Sequence, residues 1–220
     1  MSPKYKCLVF DHDDTVVNST ATIHHPCFQE FLNIYRPGMT CSLEDYFVKN
    51  FTPGFLAMCT DEYSFTDEDF AVETDFWNDY VKDHIPAAYP GIKEIMDTHK
   101  AKGGLIAVVS HSFSHYIYRD YEKNNLPRPD IVFGWDCPAE LRKPDPYPLK
   151  EIMRTYNLQP AEMLVIDDLK PGYDMARAVD VPFAAARWAN DIGFIEDFMR
   201  RNCDNYFKTV EDLADFLAER

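Results

Sequence analysis

The sequence predicts an α/β protein: a doubly wound, mostly parallel sheet, interrupted near its start by an all-helical insertion. Three observations carry this. From Tyr89 onward, short apolar runs alternate with stretches of helical period, the pattern of parallel strands joined by helical crossovers. The runs are apolar throughout, as strands covered on both faces are. Between Asn18 and Pro86 the chain is aromatic-rich with no convincing strand, so it interrupts the alternation. The expected division is a core of residues 1–17 and 87–220 around a helical domain of residues 18–86.

The first strand is the run Leu8-Val9-Phe10, which stops in Asp11-His12-Asp13-Asp14-Thr15. An apolar run ending in acids reads as a buried strand stopping at a functional loop. If the chain stays extended there, Asp11 and Asp13 point the same way. Carboxylates that close rarely both stay ionised without a cation. A hard divalent ion with oxygen ligands, Mg2+ above all, meets that need. An acidic turn with Asp14 capping a helix is the alternative for this stretch taken alone.

After Thr15 the pattern turns helical. Phe28, Phe31, Leu32 and Tyr35 share a helical face that Arg36-Pro37-Gly38 ends. Thr66 and Asp69 are spaced like a capping box, opening a helix whose apolar face is Phe70, Phe76, Trp77, Tyr80 and Val81. Tyr89-Pro90-Gly91 introduces a helix to about Lys102, closed by Gly103-Gly104. The strand Leu105 to Val109 follows, then Ser110-His111-Ser112 and a helix from about Phe113 to Asn125. Ile131-Val132-Phe133 is a short strand, and Arg142-Lys143-Pro144 leads into a helix to about Tyr156. Met163 to Ile166 is a buried strand ending in Asp167-Asp168. A helix from about Gly172 to Val179, a last strand Pro182 to Ala186 and a helix Val210 to Ala218 complete the expectation.

Composition bounds the function. The 220 residues are 46% hydrophobic and 15% aromatic, a globular composition with room for a substantial core. A net charge of -15 argues against nucleic acid and anionic membranes as partners. Any phosphorylated ligand then needs local cations. Six scattered cysteines show no CxxC spacing, which favours buried thiols in a reducing cytoplasm. The N-terminal apolar run is too short for a signal peptide, and no stretch is long enough to span a membrane. Nothing in the sequence sets the oligomeric state.

In a parallel α/β sheet, ligands sit beyond the carboxyl ends of the strands. Three strands end there in polar groups: Asp11 with Asp13, Ser110, and Asp167 with Asp168. Lys143 lies on a loop between the second and third. This ordered set, with Thr15 closing the first motif and Pro144 after the lysine, resembles the haloacid dehalogenase-like hydrolase superfamily. The Tyr89-Pro90-Gly91 helix start and the early helical insertion resemble its phosphoglycolate phosphatase and β-phosphoglucomutase branch. The resemblance spans nearly the whole chain.

It implies a Rossmann-like core with a helical cap and a Mg2+-dependent phosphatase of a small phosphate ester, working through an aspartyl-phosphate. Asp11 is then the nucleophile and Asp13 the acid/base. Ser110, aided by amides at the following helix start, and His111 and Lys143 bind the phosphate. Asp11, Asp13 (through its backbone carbonyl) and Asp168 hold the metal, and Asp167 lies behind them. Gly172 stands where many relatives carry another acid, and Asp14 where they carry glycine. The cap, which in this family closes over the site, offers Asn18, His24, His25 and the Phe51 to Phe55 stretch as substrate contacts. A sugar-phosphate mutase is the alternative enzyme, although Ile23 falls where mutases place a histidine. A catalytically degenerate binding protein is the non-enzyme alternative. Dehalogenation is disfavoured because Asp13 is present.

Overall fold

A computed structural model describes residues 2–219. The chain divides into two compact units, one formed by the stretch ending at Asn18 together with the chain from Ala87, the other by Ser19–Pro86.

Strand β1 (Cys7–Phe10) is buried along its whole length. A tight turn follows, in which the His12 carbonyl accepts from the amides of Val16 and Val17 at 2.9 and 3.1 Å. Helix therefore does not begin at Thr15, as the sequence suggested, but at a single π turn over Thr20–His24. The second unit then runs through α1 (His25–Tyr35), α2 (Leu43–Phe51), α3 (Phe55–Tyr63) and α4 (Asp67–Val81). Its core is aromatic: Phe28, Phe31, Tyr46, Tyr63 and Phe65 pack with Leu32 and Met58. The expected capping box is present, with Thr66 Oγ1 accepting from the Asp69 amide and the Asp69 carboxylate accepting from the Thr66 amide. The α4 face differs from expectation. Phe70, Phe76, Trp77 and Tyr80 are partly exposed, whereas Glu73 lies three residues from both Phe70 and Phe76 and is buried, at 8% exposure.

The first unit resumes with α5 (Ile92–Ala101), β2 (Leu105–Val109), α6 (Ser114–Lys123), β3 (Ile131–Phe133) and α7 (Tyr147–Tyr156). It continues with β4 (Met163–Asp167), α8 (Lys170–Arg177), β5 (Phe183–Ala186), α9 (Gly193–Asn202), β6 (Asn205–Phe207) and α10 (Val210–Ala218). Of these, α9 and β6 were not expected from the sequence. Gly91 precedes α5 with φ +92, where a side chain would also press on Val210, so only glycine fits.

The six strands form one parallel sheet in the order β3-β2-β1-β4-β5-β6. Leu8 and Phe10 join Ile106, Val108, Leu164 and Ile166 in one fully buried layer, as the two-residue strand period requires. Each such side chain contributes roughly 1.5–3 kcal/mol by burial. Connections leave β1 toward β2 on one side and reach β4 on the other. The order reverses between β1 and β4, and a crevice opens beyond their carboxyl ends at such a reversal. All six cysteines are free thiols, and no helix among the described residues is long and apolar enough to cross a membrane.

Candidate active site

Asp11 follows β1 directly, and its amide donates to the Ile166 carbonyl at 2.9 Å. That bond continues the β1–β4 ladder, whose register pairs Phe10 with Ile166. Asp11 therefore lies beside Asp167, the last residue of β4, and next to Asp168. Carboxylate oxygens of these three buried acids lie within 4.8 Å of one another. Residues far apart in sequence meet because their strands are neighbours in the sheet.

Lys143 is the cation among them. Its Nζ donates to Asp11 Oδ1 at 2.7 Å and to Asp167 Oδ2 at 2.8 Å. Lys143, Asp11 and Asp167 are each 4% exposed or less. Burial alone would depress the lysine pKa. The Asp11 and Asp167 carboxylates overcome it and push the pKa up, so Lys143 is charged. For Asp11, burial first, then Asp167 and Asp13, raise the carboxyl to about 7 against the pull of Lys143. Asp168 is raised by burial first and then by Asp14, Asp11 and Asp167. One lysine is thus too little positive charge to keep every acid of the cluster ionised, and the three carboxylates are grouped so that their oxygens could hold a metal ion.

Asp13 adds to the charge felt by Asp11 and has its own hydrogen-bond partner. Its Oδ2 accepts from Ser112 Oγ at 2.6 Å. Ser110 Oγ accepts from the Ser112 amide at 3.1 Å, which leaves the Ser110 hydroxyl proton available to a ligand. Ser112 was no candidate in the sequence. The signal was its place two residues beyond Ser110, in the bend that leaves β2. Of the amides at the following helix start, that of Ser114 is taken: it donates to Asp136 Oδ1 at 2.8 Å. His111 donates its Nε2 hydrogen to the Lys143 carbonyl at 2.8 Å, since a carbonyl can only accept. It braces the lysine loop. Thr15 Oγ1 lies 3.4 Å from Asp168 Oδ1 and donates to it.

The two departures from the family pattern have physical explanations. Asp14 has φ +58, the left-handed region that glycine occupies freely and aspartate tolerates better than most residues. Gly172 lies in α8 where a Cβ would land on the Asp167 carboxylate. The missing side chain makes room for Asp167, whose Oδ1 also accepts from the Leu169 amide at 2.8 Å. Of the suggested cap contacts, Asn18 falls in the first unit, while His24, His25 and Phe55 are engaged inside the second. His24 Nδ1 accepts from Trp77 Nε1 at 3.1 Å, His25 Nε2 donates to the Cys41 carbonyl at 2.8 Å, and Phe55 packs edge-on to Phe28.

Comparison with known proteins agrees with this architecture. The chain is 23% identical over 181 residues to the phosphoglycolate phosphatase of Haemophilus influenzae, covering 77% of this chain and 80% of that one. Its fold superposes on that of a predicted phosphatase from Clostridium acetobutylicum with a TM-score of 0.80, at 19% identity and over 98% and 99% of the two chains. It also superposes on CbbY from Rhodobacter sphaeroides in complex with xylulose-1,5-bisphosphate, with a TM-score of 0.72 at 15% identity, over 95% and 96%. The family model for haloacid dehalogenase-like hydrolases matches residues 8–186, a span that includes Asp11, Ser110, Lys143, Asp167 and Asp168. With most of its length matched and its buried acids and lysine gathered at one sheet edge, the chain belongs to the haloacid dehalogenase-like hydrolase family.

Proposed function

We propose that this chain is a Mg2+-dependent phosphatase that hydrolyses a small phosphate ester in the cytoplasm through an aspartyl-phosphate. The supporting observation is the buried Asp11 carboxylate, bonded to Lys143 and within 4.8 Å of Asp167 and Asp168. Asp11, Asp168 and the backbone carbonyl of Asp13 would hold the ion, and their hard oxygen donors fit magnesium. Bound there, Mg2+ supplies positive charge that neutralises phosphate oxygens.

The chain's own residues do the rest. Lys143 and the Ser110 hydroxyl bind the remaining phosphate oxygens, which lets one anion approach another. An Asp11 oxygen attacks phosphorus as the bond to the leaving oxygen breaks. Asp13, in its acid form, gives that oxygen a proton. As a carboxylate it then takes a proton from the water that attacks the aspartyl-phosphate, and this step regenerates Asp11 and releases phosphate. Ser112 fixes the orientation of Asp13 through both steps.

The curated relative's name makes 2-phosphoglycolate the first substrate to test. Phosphate release from it, or from p-nitrophenyl phosphate, is expected with Mg2+ and is expected to stop with EDTA. Asp11→Asn should abolish turnover while leaving the circular dichroism spectrum intact. Turnover retained by that variant would remove Asp11 from the nucleophile's role.

A further inference from the structure

Two buried charges beside Asp168 have no part in the chemistry above. Asp14 is 3% exposed and Arg187, the residue after β5, is 2% exposed. Their segments are tied together at the end of β4. Trp188 Nε1 donates to the Thr15 carbonyl at 3.2 Å, and the Thr15 hydroxyl donates to Asp168 Oδ1 at 3.4 Å. Arg187 is held on one side only: its Nη2 donates to Asn190 Oδ1 at 2.6 Å and to the Asn190 carbonyl at 3.1 Å. Its Nε and Nη1 are buried and make no hydrogen bond among the described residues.

A buried guanidinium with idle donors is costly, and replacing it with an apolar side chain is often stabilising. What Arg187 offers this location is therefore its charge. Asp14 offers the opposite charge from the neighbouring turn. We propose that Asp14 and Arg187 are opposed charges that set how tightly Asp11, Asp168 and the Asp13 carbonyl hold the divalent cation: Asp14 strengthens the hold and Arg187 weakens it. The inference rests on the magnesium reading above.

Isothermal titration of Mg2+ into the intact chain tests it without reference to turnover. Asn tolerates the left-handed turn, so Asp14→Asn removes charge and keeps the backbone. That variant is expected to bind Mg2+ roughly tenfold more weakly, and Arg187→Met roughly tenfold more tightly. The double variant should return close to the wild-type affinity, and Arg187→Lys should stay there. A folded Arg187→Met protein with unchanged or weaker binding overturns the proposal. If Arg187→Met does not fold, unchanged affinity in Asp14→Asn overturns it equally. Wild-type protein that binds no Mg2+ removes the magnesium reading and this inference together. Wild-type binding with unshifted variants removes the inference alone.

Discussion

At the scale of single residues, the geometry around Asp167 joins three positions into one unit. Lys143 bridges Asp11 and Asp167, the Leu169 amide holds the other Asp167 oxygen, and Gly172 leaves the space the carboxylate fills. Gly172→Ala should drive that carboxylate off Lys143 inside a buried site, at a cost of about 3 kcal/mol. In an Asp167→Ala background the space is already free, and the same change should cost less than about 1 kcal/mol. A double-mutant cycle by urea denaturation measures the difference; additive costs would mean the glycine is there for another reason. The acids were legible in the sequence because strand ends mark a site, and Lys143, on a loop, because it completes the ordered set of motifs. Gly172 and Asp14 stood out as unusual there, but their causes are a steric clash and a left-handed φ. Neither is visible until the backbone is placed.

At the scale of elements, the apolar strands were legible because they are buried on both faces and need no partner to be read. The three-residue β6 was not, since it is defined by pairing with β5 more than by its own residues. The α9 signal was present, in Ile195 and Met199 four residues apart, both fully buried. In α4 the period was legible and one occupant was not. Glu73 sits on the buried face, where burial, opposed by His24, raises its carboxyl to about 7. The unfolded chain titrates near the ordinary glutamate value of 4.5. Between those values the folded state binds more protons than the unfolded one, so this group's contribution to stability falls as pH rises. Glu73→Gln should therefore match the wild type near pH 4 and exceed it by about 3 kcal/mol at pH 8. Denaturation curves at the two pH values check this, and a gain independent of pH would point instead to repacking.

At the scale of the whole molecule, the net charge of -15 and the local site pull in opposite directions. On the proposed reading, a phosphate dianion would meet repulsion at long range and reach Lys143 beyond the carboxyl ends of β1 and β4. Lys143 is almost wholly buried, so salt would screen the proposed contact with phosphate far less than it screens the surface acids. The Debye length falls from about 30 Å at 0.01 M salt to about 8 Å at 0.15 M, and the far field weakens most. Added NaCl over that range should therefore raise kcat/KM for a phosphate ester by roughly two- to fivefold, through KM with kcat nearly constant. An enzyme steered by surface cations would show the reverse, with kcat/KM falling as salt rises. A steady-state series at constant Mg2+ distinguishes the two, and a fall would mean that a positive path to the site outweighs the acidic surface.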